Sequence, residues 1–155
     1  MSRTGNLGRP AEILLVDDNP DDVQLAKIAL DDIDIPHQLH VARDGQEAID
    51  FLQQAEGFAD KPRPDLILLD LNMPVKDGRA VLKEVKEDSV LRRIPVLILT
   101  TSDSAVDRLV AYSQHANAYL VKPLGLDQWL EMLSVTTKFW LQQVHLAPMG
   151  GTSAS

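Results

Sequence analysis

The stretch LILLDLNMPVKDG, residues 66–78, decides how the rest of the chain is read. Leu66 to Leu69 is an unbroken aliphatic run with no polar alternation. A run of that length suits a strand buried on both faces, as in a parallel sheet. It ends on Asp70, an acid at the tip of an apolar strand.

Four further apolar runs flank this one: Ile13 to Val16, Leu39 to Val41, Val96 to Leu99 and Ala118 to Val121. Between them lie residues at helical spacing. Val23, Ala26, Leu30 and Ile33 form one such set, and Ala48, Phe51, Leu52 and Ala55 a second. Val81, Leu82 and Val85 follow, then Val106, Leu109 and Val110, then Leu126, Trp129, Leu130 and Leu133. Strand and helix therefore alternate throughout, which predicts an α/β fold with helices on both faces of a parallel sheet. Pro20 suits the first turn of a helix, and Asp44-Gly45 opens the second helix. Glu56 to Pro64 reads as a long connection. The expected folded unit is 11–146, with mobile tails at 1–10 and 147–155 and no effector domain.

Composition narrows the class. The chain has 155 residues, 45% of them hydrophobic, which fits one domain with a sizeable core. No apolar run nears the roughly 20 residues of a membrane span, and Met1 to Pro10 has no secretory apolar stretch. There is no cysteine. The expectation is a soluble, cytoplasmic domain. The formal net charge is −8, against the basic patch that phosphate neutralisation on nucleic acid requires, so no direct DNA binding is expected.

The strand ends carry the chemistry. Asp17-Asp18 follows the first strand, Asp70 the third, Thr100-Thr101 the fourth and Lys122 the fifth. Ligands of open α/β sheets bind beyond these carboxyl ends. Carboxylates held close repel one another unless one protonates or a cation joins them. Mg²⁺ suits such oxygens. A carboxylate beside a divalent cation and a lysine can attack a phosphoryl group. Singly, each residue has a plainer role: Asp18 or Asn19 as a helix cap, Thr100 as a strand-end cap, Lys122 as a solvated charge. Their conjunction favours a site.

These residues resemble response-regulator receiver domains from about Glu12 to Leu141. ILLVDDNPDD resembles the first strand with its acidic pair, and LILLDLNMPVKDG the phosphoacceptor strand and following turn. PVLILTTS is similar to the fourth strand with its hydroxyl, and AYLVKP to the fifth with Lys-Pro. The resemblance implies a flavodoxin-like (βα)5 sandwich with strand order 2-1-3-4-5. It implies that Asp70 accepts the phosphoryl group and that Asp17, Asp18, Asp70 and the Asn72 backbone carbonyl hold Mg²⁺. Asp18 would bind directly and Asp17 largely through water. Thr100, Thr101 and Lys122 would bind phosphoryl oxygens, with Thr100 and Tyr119 as the switch pair. The Tyr119 ring would turn inward, and the Lys122–Pro123 bond would be cis. The long loop, the TTS and the closing KFWLQQV are similar to regulators paired with phytochrome-type histidine kinases.

A sensor histidine kinase is thus the implied donor, and none of His37, His40, His115 and His145 has the pattern of a phosphoacceptor or metal site. In the last helix Leu126, Trp129, Leu130, Leu133, Trp140 and Leu141 make one apolar face, and Met132, Val135 and Phe139 a second. The second stripe is either deep packing or a surface for a homodimer or another partner. Two other functions compete with a binding switch. One is a shuttle passing phosphate to another protein's histidine. The other is a Mg²⁺-dependent phosphohydrolase with an aspartate nucleophile. Dehalogenase-type hydrolases place an acid two residues after the nucleophile, where this chain has Asn72, so the expectation is a signalling switch and not an enzyme.

Overall fold

The computed structural model describes residues 7–73 and 75–148. Five strands alternate with five helices: β1 (Ala11–Val16), α1 (Pro20–Asp31), β2 (His37–Ala42), α2 (Gly45–Gln53), β3 (Leu66–Asp70), α3 (Gly78–Glu87), β4 (Val96–Thr100), α4 (Ala105–Ser113), β5 (Ala118–Val121) and α5 (Leu126–Lys138). A 3₁₀ turn, Leu91–Arg93, precedes β4, and a π-helical turn, Phe139–Gln143, extends α5. The strands form one sheet in the order β2-β1-β3-β4-β5, and every neighbouring pair is parallel. This is the flavodoxin-like order expected from the sequence.

The central strands explain the continuous aliphatic runs. Every residue of β3 and β4 is buried. Successive side chains of a strand point to opposite faces, so each central strand feeds two cores. Leu14, Val16, Ile67, Leu69, Val96 and Ile98 face α2 and α3, while Ile13, Leu15, Leu66, Leu68, Leu97 and Leu99 face α1 and α5. Each fully buried aliphatic side chain contributes about 1.5–3 kcal/mol.

Helix starts follow side-chain caps. Asn19 Oδ1 accepts the N–H groups of Asp21 and Asp22. Asp44 accepts the N–H of Glu47, Asp77 those of Arg79 and Ala80, and Ser104 that of Asp107. The caps set the direction in which each helix leaves the sheet's carboxyl edge.

Two helices depart from their sequence pattern. Only Ala111 of α4 is buried; Val106, Leu109, Val110 and Tyr112 face solvent. The apolar period there is real, but it points outward. In α5 the inner face is Trp129 and Leu133, continued by Leu141, with Leu130 and Trp140 partly covered. Leu126, expected on that face, is 55% exposed because it starts the helix beyond the sheet edge. Of the second stripe, Val135 and Phe139 are exposed, whereas Met132 is half-buried against the α1–α5 core.

Polar groups, one buried and one half-buried, tie the frame together. Asp65, one residue before β3, takes a two-pronged ion pair from Arg9 at 2.8 Å on each oxygen and the N–H of Glu12. The Lys86 ammonium donates to the carbonyls of Arg92 and Ile94 and to Asn117 Oδ1, using its three donors to join α3, the 3₁₀ turn and the start of β5. No helix among the described residues is long and apolar enough to cross a membrane.

The loop after Asp70 is held by close backbone approach. Gly78 N–H donates to the Leu71 carbonyl at 2.9 Å, and a Cβ on Gly78 would overlap the Asp70 carbonyl oxygen. Val75 in that loop has φ 69°, an unfavourable value for a β-branched residue. The prediction is that Gly78→Ala lowers stability by about 2 kcal/mol or more, as overpacking at rigid backbone does. Urea denaturation monitored by circular dichroism measures it.

Candidate functional site

Strand parity brings the acids and the lysine together. Asp17 continues the Ile13, Leu15 face of β1, Asp70 the Leu66, Leu68 face of β3, and Lys122 the Ala118, Leu120 face of β5. All three leave the sheet on the side of α1 and α5. The carboxylates of Asp17, Asp18 and Asp70 each offer an oxygen within 4.8 Å of the others. Asp17 and Asp70 are buried and Asp18 is exposed. Asp18, Asn19, Pro20, Asp22, Asp70, Asn72, Thr101 and Lys122 line an open cleft of about 500 Å³.

Lys122 is the cation of this cleft. Its Nζ lies 2.7 Å from Asp22 Oδ2, 3.2 Å from Asp17 Oδ2 and 3.9 Å from Asp70 Oδ2. It also stands over the Trp129 ring, 5.8 Å from the centroid. Burial pushes the Asp70 carboxyl up to about 6; Lys122 opposes the shift and Asp17 adds to it. Burial also raises Asp17, against the Asn19 N–H and Lys122. For Lys122 burial works to lower the value, but the hydrogen bond to Asp22 and the charges of Asp17 and Asp70 outweigh it, so the ammonium is held above its usual range. The pocket therefore carries more negative charge than its lysine neutralises, which suits a divalent cation.

The two threonines divide. Thr101 lines the cleft. Thr100 is buried and continues the Val96, Ile98 face of β4, the side of α3 and α4. Tyr119 is on that same side, half-buried against the core. Ser102 joins them. Its N–H donates to Thr100 Oγ1 at 3.2 Å, and its carbonyl accepts the Tyr119 hydroxyl at 3.0 Å. Its own hydroxyl donates to Asp107 of α4 at 2.7 Å. Asp107 also pairs with Arg79 of α3 at 3.1 Å, and both contacts hold its carboxyl below the usual range. Tyr119 is thus half-buried on the α3–α4 side, with both it and Thr100 bonded to Ser102. No cis peptide bond occurs among the described residues, so Lys122–Pro123 is trans, contrary to the cis form the resemblance implied; trans is the lower-energy isomer by about 0.5–1 kcal/mol.

Two contributors went unnamed from the sequence. Asp22 reads as an ordinary acid in a helix's first turn, and only the fold shows that it faces Lys122. Ser102 stood inside the quoted TTS, but its three-way bonding needs the geometry of α4 and β5. The histidines take no part in the cleft. His37 bonds the Ile35 carbonyl, and His40 pairs with Glu12 at 2.7 Å.

Residues 13–134 match the model of the response regulator receiver domain. The chain belongs to the response-regulator receiver family. It is 45% identical to the response regulator Rcp1 of Synechocystis sp. over 137 residues, covering 88% of this chain and 93% of that protein. The structure of Mn²⁺-bound Rcp1 matches with a TM-score of 0.86, covering 90% of this chain and all of that one (100%). The phosphorylated cyanobacterial phytochrome response regulator RcpA, 42% identical, matches with a TM-score of 0.87 over 90% of this chain and 99% of its own. As a receiver, the chain is a signalling switch that works by phosphorylation and takes its phosphoryl group from a sensor histidine kinase. Its acidic pocket is of the kind that binds a divalent metal.

The raised Asp70 value has a direct consequence for stability. The folded carboxyl holds its proton more tightly than the unfolded one, whose usual value is 3.8. Ionising Asp70 therefore costs the fold stability; the cost is absent below the unfolded value, grows between there and about 6, and is complete above it. In chelator at pH 7.5, Asp70→Asn should be more stable than wild type by on the order of 2 kcal/mol. Thermal melts should show that gap shrinking as the pH falls from 6 toward 4.

Proposed function

We propose that Asp70 is the phosphoryl acceptor of a phytochrome-type two-component pathway and that Mg²⁺ is its metal. The observation that carries this reading is the meeting of the Asp17, Asp18 and Asp70 oxygens within 4.8 Å, with Lys122 on the same side of the sheet. Carboxylate oxygens gathered in this way are the donor set that Mg²⁺ takes. Asp17, Asp18 and Asp70 would hold it with the Asn72 backbone carbonyl, and Asn72 lines the cleft. Bound Mg²⁺ supplies charge neutralisation for the phosphoryl oxygens.

An Asp70 oxygen forms the bond to phosphorus as the donor histidine's P–N bond breaks, and the leaving imidazole gains a proton. Lys122 binds one phosphoryl oxygen, the Thr101 N–H another, and the Thr100 hydroxyl, whose oxygen accepts the Ser102 N–H, donates to a third. Tyr119 and α4 respond, because both are bonded to Ser102. The similarity to Rcp1, to RcpA and to the bacteriophytochrome response regulator AtBRR (38% identical, TM-score 0.69) supports a phytochrome-type kinase as donor. We place the receiver unit at 11–146 and its action in the cytoplasm, which the cysteine-free composition favours. The exposed Val135 and Phe139 of the last helix, 60% and 52% accessible, support a homodimer there.

With Mg²⁺ and acetyl phosphate, intact-mass spectrometry should find one added phosphoryl group on wild type and none on Asp70→Asn. Equal labelling of both would move the acceptor elsewhere. Lys122→Ala should fold and take up the label, yet lose phosphorylation-dependent change. Light scattering at tens of micromolar should find a dimer that Phe139→Ala weakens; a monomer in every state removes the dimer.

A further inference from the structure

The closest partner of Lys122 is not a member of the metal-binding group. Asp22 Oδ2 accepts from the ammonium at 2.7 Å, whereas Asp70 Oδ2 lies 3.9 Å away, beyond hydrogen-bonding range. Asp22 is the third residue of α1, with its N–H bound to the Asn19 cap. The positive end of that helix favours a carboxylate there. Its side chain is 23% exposed and opens on the same cleft, while the Lys122 side chain is 9% exposed. The ammonium is thus held by an α1 carboxylate, by Asp17 and by the face of Trp129.

We propose that Asp22 is a positioning residue: it holds the Lys122 ammonium on the α1 side of the cleft and competes for it with the phosphoryl group on Asp70. This rests on the assignment of Asp70 as acceptor. A phosphoryl oxygen on Asp70 gains Lys122 by drawing Nζ toward it, and the short charge-assisted bond to Asp22 lengthens as it does so. Asp22 thereby opposes the phosphorylated state and sets how readily the switch is thrown. The sheet and α5 fix where the Lys122 stem begins; α1 fixes where its charge rests.

The experiment uses beryllofluoride as the phosphoryl mimic with saturating Mg²⁺, on the full chain with Trp140→Phe so that Trp129 is the sole tryptophan. The Trp129 ring beneath Lys122 reports the ammonium's position through its emission. The mimic should shift that emission. Asp22→Asn should shift the mimic-free spectrum in the same direction and tighten half-saturation by mimic about tenfold, the equivalent of one competing charge-assisted bond. Asp22→Ala, made alongside, should do the same. Asp21→Asn removes an equal charge from the neighbouring residue and should leave both readouts near wild type. Half-saturation unchanged within about twofold in both Asp22 variants, or an equal gain in Asp21→Asn, overturns the proposal. If Asp70→Asn still shows the saturable mimic response, the acceptor assignment fails instead; if it does not, and the Asp22 variants match wild type, only the role of Asp22 fails.

Discussion

One ammonium group makes the carboxyl edge of this sheet tenable. Asp17 and Asp70 are buried acids on neighbouring strands, and Asp18 and Asp22 stand beside them. Burial raises both strand-end carboxyls, because the site solvates their charge poorly. Lys122 offsets part of that through three carboxylates, at 2.7, 3.2 and 3.9 Å. Its own charged state is reinforced in return. The remaining excess of negative charge is what a divalent cation completes, so affinity for metal and instability without it have the same cause.

Parallel pairing turns this local balance into a two-sided device. Because strand residues alternate faces, Asp17, Asp70 and Lys122 open toward α1 and α5, while Thr100 and Tyr119 belong to the α3–α4 face. With Asp70 as acceptor, a phosphoryl group would meet the first group directly. It would reach the second only through the end of β4, where Thr100 lies one residue beyond the strand partner of Asp70. Ser102 is the junction there, bonded at once to Thr100, Tyr119 and Asp107.

The fold was legible in the sequence wherever burial was two-sided. Leu66 to Leu69 and Val96 to Leu99 suit strands buried on both faces, and Asp44 was legible as a helix opener. The strand-end residues were legible because strand ends converge in any open sheet. The rest depended on contacts between distant segments. The α4 period reads as a core face, yet Val106 and Leu109 are 68% and 67% exposed, and periodicity carries no sign of which side is covered. Asp22 lies 100 residues from Lys122 in sequence, and no local pattern marks an acid of a helix's first turn as the partner of a lysine on the far strand. Ser102 is equally silent, being one small polar residue in a loop of several.

Helix α4 is weakly anchored to the sheet. Ala111 is its single buried residue, whereas α3 buries Val81, Leu82 and Val85 along with Gly78. Displacing α3 would expose several aliphatic side chains, at about 1.5–3 kcal/mol each. Displacing α4 mainly breaks the contacts of Asp107 to Ser102 and Arg79. Partly exposed ion pairs of this kind contribute little, because solvent screens them. Thr100 Oγ1 accepts the Ser102 N–H, so its own proton can be donated elsewhere, and a hydrogen bond to a charged phosphoryl oxygen would be worth about 1.5–3 kcal/mol. The outward-facing apolar residues of α4 therefore sit on an element that buries less than α3 does.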